Sequence, residues 1–148
     1  MNKFSRYIKK NGWILPFLLL AAPLKAEDGY ELWLRYKTIS DAKQMAVYRS
    51  AITGIHCPDF SPTLRAARDE LQPGLKGLLG KNISLHSSPA PGSVLALTAS
   101  RSSLARASVT AEQLQQAGTE GFIIKSITRQ GKNMTLITAN TDIGVLYG

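Results

Sequence analysis

The sequence predicts an α/β (α+β) fold, in which helices pack on a mixed β-sheet. Strand-like and helix-like stretches alternate along residues 31–117. Residues 94–98 form a continuous apolar run of strand length, which is typical of a strand covered on both faces. Near the end, residues 121–128 and 133–138 flank a turn and indicate a hairpin. The predicted order is β-α-β-α-β-α-β-β, and 148 residues favour one domain.

The first predicted elements are a strand, a helix and a second strand. Residues 31–36 alternate, with Trp33 on the side opposite to the other apolar residues. The Ser40–Asp41 pair is a capping signal ahead of residues 42–50, which have helical composition. Residues 51–57 are short, partly β-branched and followed by a proline, so we expect a strand there.

The clearest helix begins at Ser61, the predicted N-cap, with Pro62 in the first helical position. Pro73 lacks a backbone donor, and a kink or a restart is expected near it. Gly80 is the predicted stop. Apolar residues at three- and four-residue steps predict a core-facing stripe: Leu64, Ala67, Leu71, Leu75 and Leu78.

The second half contains shorter elements. Residues 87–93 form a turn-rich loop, and residues 101–108 are polar and receive no assignment. Residues 110–117 are predicted to be a short helix, in which Thr110 and Gln113 form a capping box and a glycine follows. The hairpin turn is placed at residues 130–132.

The last nine residues combine a helix-starting cluster, residues 140–142, with apolar side chains at Ile143, Val145, Leu146 and Tyr147. A helix of one turn is not stable alone. We therefore expect these side chains to need a partner, and we interpret the end as a cut through a continuing protein. The alternative is a frayed tail.

The charge is concentrated in a predicted secretory signal, residues 1–26. The chain carries 18 Lys and Arg against 10 Asp and Glu, but from Glu27 onward 13 basic and 10 acidic residues are nearly balanced. This distribution argues against a nucleic-acid partner. The apolar run of residues 13–22 is shorter than the roughly 20 residues of a membrane span. We expect cleavage after Ala26 or Ala22, export to the periplasm or the medium, and no membrane association afterwards; an uncleaved anchor is the alternative.

Candidate nucleophiles and metal ligands are few. Cys57 is the one cysteine, so a disulfide within the chain is excluded. His56 adjoins it, whereas His86 lies beyond the long helix, and zinc needs three or four ligands. We interpret His56 and Cys57 as structural residues of a strand, and expect no metal and no cofactor.

Paired carboxylates could serve acid–base chemistry. Asp69 and Glu70 are neighbours on the long helix and should point about 100° apart. Most of the others fall at predicted caps and turns, where a carboxylate stabilises the helix dipole. The ten acidic residues are Glu27, Asp28, Glu31, Asp41, Asp59, Asp69, Glu70, Glu112, Glu120 and Asp142. We predict that none is catalytic.

Three further motifs are weak. The glycines at positions 74, 77 and 80 follow a helix instead of linking a strand to one, unlike a phosphate-binding loop. Asn82 and Asn133 match the glycosylation sequon. Trp33 and Tyr36 could stack on sugar rings, but strand aromatics are more often core or interface residues.

Three parts of the chain are distinctive: residues 27–36, residues 61–75, and residues 118–124 together with residues 140–148. They resemble the amino-terminal region of the xylan-debranching α-glucuronidases, glycoside hydrolase family 67. Residues 27–36, directly after the predicted signal, resemble the mature start of those enzymes. Residues 61–75 look like the long helix of their first domain. Residues 118–124 together with residues 140–148 are similar to the end of that domain.

The resemblance implies that residues 27–148 are an accessory α/β domain that precedes a (β/α)₈ barrel. It implies that the barrel carries the inverting hydrolysis of 4-O-methylglucuronic acid branches on xylo-oligosaccharides. The partners implied are that barrel, the oligosaccharides bound by the whole enzyme and a possible second copy of it. No catalytic residue is carried onto this chain.

Two other functions are compatible with the same residues. One is an autonomous carbohydrate-binding module with Trp33 and Tyr36 as its platform. The other is an exported envelope or interaction protein without a carbohydrate role.

Overall fold

The computed structural model describes residues 36–148. The predicted signal and most of the predicted strand at residues 31–36 lie outside this range. In chain order the elements are α1 (Ala42–Ala51), β1 (Gly54–His56), α2 (Pro62–Leu79), β2 (Ser84–Leu85), β3 (Ser93–Thr98), α3 (Ser103–Ser108), α4 (Ala111–Ala117), β4 (Phe122–Arg129), β5 (Lys132–Ala139) and α5 (Asp142–Tyr147).

The five strands form one mixed sheet in the order β2-β1-β3-β5-β4. The first four in this order run parallel, and β4 pairs with β5 antiparallel as an edge strand. Strand β3 is central and all six of its residues are buried, because helices cover both of its faces. The predicted α/β class, with helices on a mixed sheet, is therefore confirmed.

Two apolar layers hold the helices to the sheet. On one face, Val94 and Ile137 pack with Leu79 of α2 and Met45 of α1. On the opposite face, Leu95 and Leu97 of β3 and Leu136 of β5 pack with Ala105 of α3. Strand β3 and residues 136–139 of β5 are buried, and apolar side chains therefore occur in both of their alternating sets.

The caps expected from the sequence are present. The Asp41 side chain accepts a hydrogen bond from the Gln44 backbone at the start of α1. Ser61 caps α2, which ends at Gly80 with a φ of 58°. Thr110 and Gln113 form the expected capping box of α4. Each cap satisfies backbone donors or acceptors that the helix itself leaves unpaired.

Several sequence-based boundaries were wrong. The strand predicted over residues 51–57 is only Gly54–His56, because Ala51 completes α1 and the Ile52 amide bonds the Tyr48 carbonyl. Helix α2 continues through Pro73, so the restart, one of the two outcomes expected there, is wrong. Residues 101–108, left unassigned, contain α3, and the two-residue strand β2 was missed. Its pairing is too short to leave a periodic signal.

The hairpin turn is tighter than predicted. Lys132 already belongs to β5, so the turn consists of Gln130 and Gly131. Both have positive φ, 51° and 72°. This is the combination required by the two-residue turn whose twist matches that of the flanking strands.

The terminal helix α5 packs against residues of the same domain. Val145 is buried against Leu64, Ala96 and Ala139. The expectation that the apolar end needs a partner from outside is therefore wrong for Val145. Tyr147 differs, since 55% of its surface is exposed.

Thr138 and Thr98 are both buried on adjacent strands but differ in hydrogen bonding. No partner for the Thr138 hydroxyl lies within residues 36–148, whereas the Thr98 hydroxyl donates to Asp142. We expect Thr138→Val to raise the free energy of unfolding by about 1 kcal/mol, because an unpaired buried hydroxyl is removed. Thr98→Val should lower it by roughly 1.5–3 kcal/mol, because a bond to a charged group is lost. Urea unfolding measures both, and a destabilised Thr138→Val would contradict the first expectation.

Candidate functional site

The carboxyl ends of the parallel strands form the edge at which open α/β sheets usually bind ligands. From β1 the chain crosses over α2 to β2 on one side, while from β3 it continues to β4 and β5 on the other. Helices α2 and α3 lie on opposite faces. The strand order therefore reverses between β1 and β3, where the loops after His56 and Thr98 lie side by side.

Asp142 is the most deeply placed carboxylate at this edge. It accepts a hydrogen bond from the Thr98 hydroxyl, and its Oδ2 lies 3.5 Å from Nη1 of Arg101. Burial alone would raise the pKa of the Asp142 carboxyl, but hydrogen bonds from Thr98 and Ser61, together with Arg101, outweigh burial and lower the pKa. The ionised Asp142 side chain at the start of α5 therefore bonds to the loop after β3 and to the start of α2. Its low pKa suits neither a general acid nor a strong general base.

The other carboxylates near this edge, Asp59 and Asp69, form ion pairs with two arginines of α2. Arg65 Nε lies 3.1 Å from Asp59 Oδ1. Arg68 Nη2 lies 2.8 Å from Asp69 Oδ1, and Nη1 lies 3.9 Å from Asp59 Oδ2. These carboxylates are neutralised by cations within the domain, which is typical of a solvated helix face.

The cap positions predicted for other acidic residues are also observed. Asp41 caps α1, and Glu112 lies in the first turn of α4. Bonding to its own backbone amide and to Thr110 lowers the pKa of the Glu112 carboxyl. Both carboxylates serve helix ends, as the sequence suggested.

His56 and His86 are close in space, although the sequence suggested that the long helix separates them. Helix α2 is a crossover between two adjacent parallel strands, so it returns the chain beside its starting point. The Nδ1 atom of His56 lies 3.0 Å from the His86 carbonyl, and Nδ1 of His86 lies 2.9 Å from Ser93 Oγ. Both rings therefore have partners within the sheet.

Cys57 follows β1 and lines a shallow pocket of about 270 Å³ with His56, His86, Asp59 and Arg68. Its thiol donates to the Leu64 carbonyl at 3.4 Å. Burial raises the pKa of the thiol to about 11, despite the nearby Arg68 cation. The thiol is protonated at neutral pH and is therefore a poor nucleophile. Across residues 36–148, no three His, Cys, Asp or Glu side chains are grouped to hold a metal ion.

The glycines of α2 accommodate the incoming chain instead of a phosphate. A Cβ at Gly74 would lie 2.9 Å from Cε1 of Tyr36, and one at Gly77 would lie 2.5 Å from its Cβ. The Thr38 hydroxyl donates to the Gly77 carbonyl at 3.0 Å. Tyr36 thus packs against α2, and Trp33, the other aromatic of the suggested sugar platform, lies outside the described residues. Glycines three residues apart on a helix were the available signal for this close approach.

Two surface properties concern the sequons and the helices. The sequon residues Asn82 and Asn133 are both exposed. None of the helices described for residues 36–148 has the length and apolar character needed to cross a bilayer.

Comparison with known proteins gives a consistent result. The family described as glycosyl hydrolase family 67 N-terminus matches residues 32–148. Two curated relatives, each named probable alpha-glucuronidase A, come from Aspergillus oryzae and Aspergillus flavus. Each is 27% identical to the chain over 132 residues, which is 88% of this chain and 15% of the relative. The chain therefore spans about 15% of the length of these relatives.

Proposed function

The chain belongs to the family formed by the amino terminus of glycosyl hydrolase family 67, and from this membership we propose that it is the exported, non-catalytic accessory domain of an α-glucuronidase. The whole enzyme would remove 4-O-methylglucuronic acid branches from xylo-oligosaccharides. Support for this substrate comes from the family and from the names of the two fungal relatives.

The proposed chemistry requires two carboxyl groups placed around the scissile bond. Inverting hydrolysis needs a general acid and a general base about 6.5–9.5 Å apart, with room for a sugar and a water between them. A (β/α)₈ barrel, the expected site of these groups, takes about 250 residues. We therefore place both catalytic carboxyls in the part of the enzyme beyond this chain.

The observation that carries the non-catalytic role is the state of Asp142. Among residues 36–148 it is the most deeply placed carboxylate at the edge where open α/β sheets usually bind ligands, yet Thr98 and Arg101 already interact with it. Its lowered pKa keeps it ionised, whereas a catalytic acid needs a raised pKa.

Export is proposed on separate grounds. Residues 1–26 combine five basic residues, no acidic residue and a ten-residue apolar run, which is the composition of a secretory signal. We propose that the mature enzyme acts in the periplasm or outside the cell.

The role can be tested by changing carboxylates to amides in the full-length enzyme. We expect Asp59→Asn, Glu120→Gln and Asp142→Asn each to keep kcat on glucuronoxylo-oligosaccharides within about threefold, because losing a general acid or base typically costs 10²–10⁴-fold. Asp142→Asn should also lower the melting temperature, since the carboxylate joins three loops.

Two results would contradict the proposal. A hundredfold loss of kcat in a variant that melts like the wild type would place a catalytic group in this domain. Absence of methylglucuronic acid release by the unmodified full-length enzyme would refute the proposed substrate.

A further inference from the structure

An apolar strip is exposed where the edge strand β4 meets the end of α5. It consists of Phe122, Ile124 and Tyr147, which are 43%, 52% and 55% exposed. Large apolar side chains grouped at one place on a surface usually mark an interaction site, whereas scattered ones do not.

The strand register places Phe122 and Ile124 on the same face of the sheet. Phe122 pairs with Ala139 and Ile124 with Ile137, and directly paired residues project from the same face of a sheet. At the end of α5, a Cβ on Gly148 would lie 2.6 Å from Cγ2 of Ile137 and 3.1 Å from Cγ of Phe122. The last residue of the chain therefore lies on the strip.

Charged side chains usually protect an exposed edge strand. On the face that carries the strip, β4 has none. Lys125 and Arg129 alternate to the opposite face, where Nζ of Lys125 donates to the Ser108 carbonyl at 2.8 Å. Ser126 and Thr128 continue the strip face as its polar end. Within residues 36–148, β4 pairs with β5 alone. Soluble proteins usually block such a long edge with inward charges, proline or a covering element.

We propose that the catalytic portion of the full-length enzyme covers the apolar strip through an apolar surface of its own. This rests on the proposed function, which supplies that portion. Because Gly148 lies on the strip, any residue that follows it begins there, and 85% of each relative's length lies beyond the span matched by this chain. The strip has uncharged apolar residues at its centre and the polar residues Ser126 and Thr128 at one end. Protein interfaces commonly combine an apolar core with a polar rim.

The strip can be tested with two matched substitutions on opposite edges of the sheet. Ile124→Glu places a charge in the strip, and Leu85→Glu places one on β2, where Leu85 is 49% exposed. In the full-length enzyme we expect the amides of residues 122–129 to exchange with deuterium at least tenfold more slowly than in the isolated chain. Ile124→Glu should abolish this difference, while Leu85→Glu should preserve it.

Equal exchange of β4 in the isolated chain and the full-length enzyme would overturn the proposal. A second result would also overturn it. Sedimentation would show that the isolated chain is a dimer and that Ile124→Glu breaks this dimer, while the same substitution leaves β4 exchange in the full-length enzyme unchanged. The strip would then bind a second copy of the chain. Protection of β4 in an enzyme that releases no methylglucuronic acid would refute the proposed substrate and keep the docking surface.

Discussion

The isolated chain is expected to release no 4-O-methylglucuronic acid from glucuronoxylo-oligosaccharides, at least about 10⁶-fold less per molecule than the full-length enzyme. Hydrolysis with inversion needs one protonated and one ionised carboxyl facing the same sugar. In this domain, Asp142 is held ionised by Thr98 and Arg101, and Asp59 and Asp69 are paired with arginines. Cys57 is a poor nucleophile, because burial raises the pKa of its thiol to about 11.

The measurement compares equal molar amounts of the isolated chain and the full-length enzyme by chromatographic detection of the released acid. Circular dichroism establishes that the isolated chain is folded. Release by the isolated chain above about 10⁻⁶ of the full-length rate would contradict the accessory role. Saturable binding of xylo-oligosaccharides to the isolated chain, without turnover, would instead favour the carbohydrate-binding module.

Leu136→Ala is expected to lower the free energy of unfolding of the isolated chain by about 2–5 kcal/mol. Leu136 is fully buried at the centre of β5, where it packs with Leu95, Leu97, Ala105 and Met134. Removing its isobutyl group would leave a cavity in the layer between the sheet and α3. Strand β5 pairs on both sides, so the backbone has little freedom to close that cavity.

Ile124→Ala is the matched control, since Ile124 lies on the adjacent strand but is half exposed. It should change the free energy of unfolding of the isolated chain by no more than about 0.5 kcal/mol. Urea unfolding with a common m-value measures both variants. A cost below about 1 kcal/mol for Leu136→Ala would mean that the core on this face is not close-packed.

Local chemistry made several elements of the fold predictable. Ser61, Pro62 and Gly80 fixed the ends of α2, because capping depends on residues within one turn of the helix end. The hairpin was equally local, since its strands are joined by two residues with positive φ. Elements without such signals were missed: β2 exists because β1 lies beside it, and α3 carries little periodic pattern.

The candidate site was less predictable, because its residues are distant in the sequence. Thr98 and Asp142 are 44 positions apart, yet they share a hydrogen bond. The sequence suggested that α2 separates His56 from His86, but a parallel crossover returns the chain to the adjacent strand. Local patterns report which face a side chain prefers, but not which other strand end it meets.

The sequence by itself determined the α/β class, the capped helices and the hairpin, since each depends on hydrogen bonds and apolar spacing within a few residues. Its resemblance to the α-glucuronidases also identified the family that residues 32–148 match. Only the tertiary structure decided that Val145 is buried within the domain while Phe122, Ile124 and Tyr147 stay exposed. The physical reason is that burial depends on contacts between segments far apart in the chain, which periodicity cannot specify.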